Sequence, residues 1–327
     1  MTELIVLFGL VLLILVHEIG HFATAKMFGM YVEEFGIGFP PRLFSWKRGE
    51  TQYSINSILL GGFVKLHGEL DGSIARSFMR HAAWKRAIVL VAGVFMNFIA
   101  GWVIFSSILW IGVPPAIFIS DITDISPAAR AGLMKGDIVN DFTDPNDFMA
   151  YVKKNKGKSI TLSIIRAGEE RKVVVTPRVK APLGEGALGV SLVGGGVEGV
   201  GFWNGLKGGF LMACATVWSV VTGLGALISQ PEAVVGPVGI FRVASGAAAI
   251  GFTYVLQLLA VISLNLAVLN LLPIPALDGG RLLFILIEKI RGKQFSPKFE
   301  MRANSISFIL LIALILTITV KDVVGLL

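Results

Sequence analysis

Hydrophobic positions fall in long unbroken runs, parted by two polar stretches. Four runs are long enough to cross a hydrocarbon core of about 30 Å, which takes roughly 20 helical residues. They are Leu4 to about Ala25, about Ile88 to Val113, Phe252 to about Leu272, and Ile306 to about Val320. The third runs on into a segment broken by Pro and Gly. A fifth stretch, Phe202 to Ile228, is apolar but rich in Gly and small residues, and it carries Lys207. The first run ends near Ala23-Thr24-Ala25, which has the look of a signal-peptide cleavage site. Its start, Met1-Thr2-Glu3-Leu4, has no Lys or Arg, so the run reads as a retained membrane helix.

Between about Pro114 and Gly196 the pattern changes. Ala116–Thr123 reads as a strand, and Ser126-Pro127 opens a short capped helix. Leu133–Val139 is a turn into a strand. Pro145 to Asn155 predicts a helix with Phe148, Val152 and Tyr151 as inward candidates. Ser159–Arg166 and Arg171–Arg178 alternate around Ala167-Gly168, a hairpin signal. In the first polar stretch, Thr51–Asn56 and Phe63–Leu66 are strand candidates on either side of a bend at Gly61-Gly62.

Composition fits a membrane protein. Of 327 residues, 54% are hydrophobic and only 16% charged, against about 25% charged in soluble domains. Residues 120–185 hold 20 of the 51 charged side chains, which marks a polar insert between membrane-embedded parts. These proportions exclude a purely soluble enzyme and a disordered chain. The single Cys214 excludes a disulfide scaffold. The net charge of +7 needs no nucleic-acid partner. Basic residues crowd two loops, Lys26 to Arg86 and Arg281 to Arg302, and both should face the cytoplasm. The N-terminus and the insert then lie outside an inner (plasma) membrane. With that parity, 202–228 crosses zero times or twice, and an interfacial or re-entrant segment is expected.

The chemistry sits at His17-Glu18-Ile19-Gly20-His21. On a helix, positions i and i+4 share a face, so both imidazoles can reach one zinc ion. Glu18 is placed to take a proton from a water that zinc would activate. Three ionisable residues in five positions of a membrane helix are costly unless they serve a site. A catalytic zinc takes three protein ligands and keeps an open position. His67 and His81 read as solvated loop residues. Asp278 is the better third ligand, because Asn270-Leu-Leu-Pro-Ile-Pro-Ala-Leu-Asp-Gly-Gly280 must interrupt a helix at membrane depth. Arg281 is its alternative partner. Helix rise from each run's outer end places His17 and this break at similar depth, about 20 Å in.

Together these residues resemble the site-2 protease family, specifically bacterial intramembrane zinc metalloproteases of regulated intramembrane proteolysis with one PDZ domain. The resemblance covers nearly the whole chain. It rests on the His-Glu-Ile-Gly-His motif, Phe35–Gly38, Gly61–Lys65, Trp84–Arg86, Gly236–Ile240 and Asn270–Gly280 in family order. Pro40-Pro41 and Val94 depart from the family's usual residues. The resemblance implies zinc ligands His17, His21 and Asp278, a general base Glu18, and a substrate-binding Asn270. It also implies a membrane-associated β-hairpin, about Gly36 to Leu66, that pairs with substrate. The expected fold class is a multi-pass α-helical membrane protein with four transmembrane helices and an inserted extracytoplasmic α+β PDZ-like domain. Its parts are a first helix over 1–28, the hairpin segment over 29–84 and a second helix over 85–113. The PDZ-like domain over 114–196 follows, with Gly186–Leu192 as its ligand-facing strand. Then come the segment 197–251, a third helix with its break over 252–292 and a fourth over 303–325. The implied partners are transmembrane protein or peptide substrates, membrane lipid and a PDZ ligand of unknown identity. The competing expectation is a non-catalytic membrane metal transporter or adaptor with a PDZ module. Such transporters often carry internal repeats, and none is visible here.

Overall fold

The computed structural model describes residues 2–68, 76–166, 169–182, 185–229 and 236–324. The chain forms two compact units. One comprises Met1–Phe105, Gly209–Phe241 and Leu258–Leu327; the other comprises Ser106–Gly208 and Arg242–Gln257.

In the first unit, the opening apolar run is helix α1, Thr2–Met27. It ends with Lys26 in its last turn and Gly29 in the left-handed region (φ 75°), where a side chain would be strained. Two long strands follow, β1 (Val32–Arg48) and β2 (Thr51–Leu66). Their register is doubled. Glu34–Ile37 is flanked on one side by Gly62–Lys65 and on the other by Gln52–Ile55, while Arg42–Arg48 pairs with Thr51–Asn56. The strands expected at 51–56 and 63–66 are therefore halves of one bent strand. Helix α2 (Ala83–Ile111) comes next. A core of Ala25, Met30, Val32, Leu66, Phe78, Met79, Val89, Leu90 and Ile285 ties α1, the strands, α2 and the later helix α8 (Asp278–Arg291) together.

The second unit carries a five-stranded sheet. Its strands are β3 (Val113–Ile122), β4 (Ile138–Val139), β5 (Ile160–Arg166), β6 (Glu169–Val175) and β7 (Val190–Val197), in the order β6-β5-β4-β3-β7. Helix α3 (Pro127–Arg130) opens with Ser126, whose side chain accepts from the Ala129 N–H. Helix α4 (Pro145–Lys154) is capped by Asp144. Ile117, Ile119, Phe148, Val152, Leu162 and Ile164 lie in one core. Phe148 and Val152 point inward as their spacing predicts. Tyr151 stays exposed and packs on Phe142, 5.1 Å between ring centres. The Ala167-Gly168 turn lies outside the described residues. The last strand starts at Val190 rather than Gly186, because Gly189 takes a φ of 72°, outside the strand region.

The remaining helices are α5 (Phe202–Ser229), α6 (Pro237–Ile250), α7 (Phe252–Asn270), α8 (Asp278–Arg291) and α9 (Pro297–Val324). Five helices among the described residues are long and apolar enough to span a membrane: α1, α2, α5, α7 and α9. The protein is thus a multi-pass membrane protein. The four expected spans are among them, and α5 is a fifth candidate. Helix α5 runs unbroken through the stretch expected to lie in the interface or re-enter. A glycine inside a helix costs only about 1 kcal/mol against Ala, and here two of them make room for neighbours. A Cβ at Gly205 would strike the Trp110 ring, and one at Gly208 would lie 2.7 Å from a Leu109 methyl.

Candidate metal centre

Helix α1 turns His17 and His21 to one side, with side chains about nine-tenths buried. Their Nε2 atoms stand 3.0 Å apart, and the rings meet edge to face at 85°. Asp278 enters from a different part of the chain. Its Oδ2 lies 3.1 Å from His17 Nε2 and 3.3 Å from His21 Nε2. The sequence reading placed these three residues together across more than 250 positions, and the structure brings them together. The Arg281 guanidinium lies over the Phe78 ring, 5.6 Å from its centre. His67 binds the Glu33 carboxylate, and His81 contacts the Ser77 carbonyl.

The segment 271–277 explains how Asp278 reaches the site. Helix α7 ends at Asn270, and tight turns follow: Ile274 N–H donates to Leu272 O and Leu277 N–H to Ile274 O. Helix α8 then starts at Asp278 itself. Its first turn packs directly on this backbone. A Cβ at Gly279 would strike the Leu271 and Leu272 carbonyls, and one at Gly280 the Ile274 carbonyl. The paired glycines are therefore a close-approach requirement.

The atoms that face one another fit a cation. His21 Nδ1 lies 2.8 Å from the Val89 carbonyl oxygen. A carbonyl only accepts, so Nδ1 carries the proton and Nε2 presents its lone pair. Asp278 Oδ2 is buried with no hydrogen-bond donor. Acceptors packed this closely repel unless a positive charge sits among them. Donor atoms of a tetrahedral zinc with bonds of about 2.0–2.1 Å stand about 3.3 Å apart, close to the spacing found. Gly93 of α2 leaves the necessary room. A Cβ there would lie 2.6 Å from His21 Cε1 and 2.7 Å from His17 Cε1.

Glu18 faces the same cavity of about 240 Å³, together with His17, Asn97, Asn270 and Asp278. The Val64 backbone lies beside its carboxylate. A Cβ at Gly62 would sit 3.3 Å from Glu18 Cγ, so the second half of β2 runs beside this carboxylate. Asn270 Nδ2 stands 3.4 Å from His17 Nε2. The sequence reading missed Gly93, Asn97 and the Val89 carbonyl. The available signal was a single amide inside the apolar run Ile88–Val113, since polar side chains at membrane depth mark sites.

Comparison with known proteins gives a consistent result. Residues 5–314 match peptidase family M50. A Clostridium perfringens protein, named as a candidate zinc metalloprotease, is 36% identical over 95% of each chain. The zinc metalloprotease RasP of Geobacillus kaustophilus is 30% identical over 98% of this chain and 96% of its own. RasP of Bacillus licheniformis is likewise 30% identical, over 98% and 97%.

Proposed function

The chain belongs to the peptidase M50 (site-2 protease) family and is a zinc metalloprotease, and from this we propose that it cleaves membrane-spanning segments of other proteins. The observation that carries the reading is the convergence of His17, His21 and Asp278 beside Glu18 within apolar helices. We assign the two imidazoles and the Asp278 carboxylate as the zinc ligands. Bound zinc supplies a water activated at neutral pH and a polarised scissile carbonyl. Glu18 takes the proton of the attacking water at its carboxylate and gives it to the leaving amide nitrogen. Asn270, at the cavity wall, donates to the substrate backbone.

A helical substrate hides its carbonyls in internal hydrogen bonds, so it must be drawn out into an extended form. The Phe63–Leu66 half of β2 runs past Glu18, and a sheet edge pairs with an extended peptide. We therefore assign β1–β2 as the element that holds the scissile segment. The five-stranded domain is read as PDZ-like. Its edge strand β7 and helix α4 border a groove of about 380 Å³ lined by Phe148, Val152, Leu188 and Leu192. The charge pattern of the loops supports an outward-facing N-terminus and PDZ-like domain.

The test is cleavage of a transmembrane substrate by purified protein in detergent. Wild type cuts, and Glu18→Gln retains zinc but cuts at least about 100-fold more slowly. Equal cleavage by the two proteins removes Glu18 from the mechanism. Zinc retained by Asp278→Ala at wild-type affinity removes the ligand assignment.

A further inference from the structure

We infer that Asn97 is the positioning residue of His17, its amide oxygen accepting the Nδ1–H proton and so holding Nε2 toward the metal. The inference rests on the ligand assignment above. Asn97 is 1% exposed, and its amide lies 3.3 Å from His17 Nδ1. Its backbone is pinned, because Ser263 Oγ of α7 donates to the Asn97 carbonyl at 2.8 Å.

The amide end facing Nδ1 is the nitrogen, while Oδ1 is buried without a donor. An imidazole that binds metal through Nε2 carries its proton on Nδ1. Two donors would then oppose each other. A half-turn of the amide exchanges its ends and leaves the heavy-atom envelope unchanged. The buried oxygen gains a donor, and the histidine gains the acceptor its ligating tautomer needs.

The neighbouring ligand shows the same arrangement. His21 Nδ1 meets the Val89 carbonyl at 2.8 Å. Val89, Gly93 and Asn97 follow at four-residue spacing, which places them on one face of α2. That face presents an acceptor for one imidazole, a gap for both rings, and an acceptor for the other. At the Asn97 end the acceptor is a side chain, so substitution can remove it.

The experiment measures zinc affinity of the full-length protein, without substrate, by competition with a chelator. Asn97→Leu and Asn97→Ala remove the acceptor. Asn97→Asp presents oxygen at both ends. Both apolar variants should bind zinc about 10–100-fold more weakly, and Asn97→Asp should stay within about threefold of wild type or bind more tightly. Wild-type affinity in either folded apolar variant overturns the inference. So does an Asp variant as weak as the Leu variant, which would mean that only packing matters. Asp278→Ala is measured alongside. If it keeps zinc, the ligand assignment itself falls, a result separable from the Asn97 series.

Discussion

Gly93→Ala adds one methyl to a membrane helix, a change that ordinarily favours helix by about 1 kcal/mol. Here it should abolish the metal site. The new Cβ would sit 2.6 Å from His21 Cε1 and 2.7 Å from His17 Cε1. Carbon atoms in contact rest at about 3.5–4.0 Å, so rings or helix must part by about 1 Å. Ligand distances at a metal tolerate only about 0.2 Å. Neither ring can retreat freely, because Nδ1 of His21 is tied to Val89 and α1 packs against α2 through Gly20, whose Cβ position lies 2.9 Å from Met96 Cγ. Overpacking of this kind costs about 1–3 kcal/mol of stability. Zinc affinity should fall by at least about 100-fold, or about 2.7 kcal/mol. The assay is zinc per chain after dialysis against graded chelator, with the thermal transition of the zinc-free protein recorded in the same detergent. Gly101→Ala is the control. The atoms nearest its Cβ all belong to the Leu264 side chain, 2.6 Å away at Cγ, so packing is disturbed away from the imidazoles. Stoichiometric zinc of wild-type affinity in Gly93→Ala would refute the argument that this glycine makes room for the metal.

Three further outcomes are expected. The Arg86–Glu288 pair is buried, 3.1 Å apart with side chains 6% and 5% exposed, and it joins α2 to the helix that begins with Asp278. Glu288→Leu alone should cost about 3–5 kcal/mol, whereas Arg86→Met with Glu288→Leu should recover much of that loss, as read from thermal unfolding. In the second unit, Arg166 holds the buried Asp137 carboxylate at 2.6 Å. Arg166→Met should cost about 1–3 kcal/mol, seen as faster hydrogen exchange along β4 and β5. At the β1–β2 turn, Arg76 and Lys26 lower the Glu50 pKa to about 2. Its folded value lies below the unfolded one, so its stabilisation is complete above the ordinary glutamate range and is lost as pH falls toward 2. Proteolysis of the turn should rise over that window in wild type and stay flat in Glu50→Gln.

Much of this protein was legible in the chain alone. Apolar run length revealed four of the five candidate spans, because crossing a membrane demands an unbroken stretch whatever its neighbours are. The His17–His21 spacing and the cost of charge at depth pointed to the candidate metal site, and the Pro/Gly break to Asp278, which the fold brings beside both imidazoles. Those are local properties, readable one segment at a time. Tertiary structure decided the rest. Helix α5 runs unbroken despite its glycines, two of which make room for Trp110 and Leu109, far earlier in the chain. The doubled register of β1 and β2 depends on pairing, which no single strand encodes. Gly93, Asn97 and Val89 matter only through the imidazoles they face. A side chain's contribution to a site is set by what packs against it, and for α2 those partners sit about 70 to 80 residues earlier in the sequence.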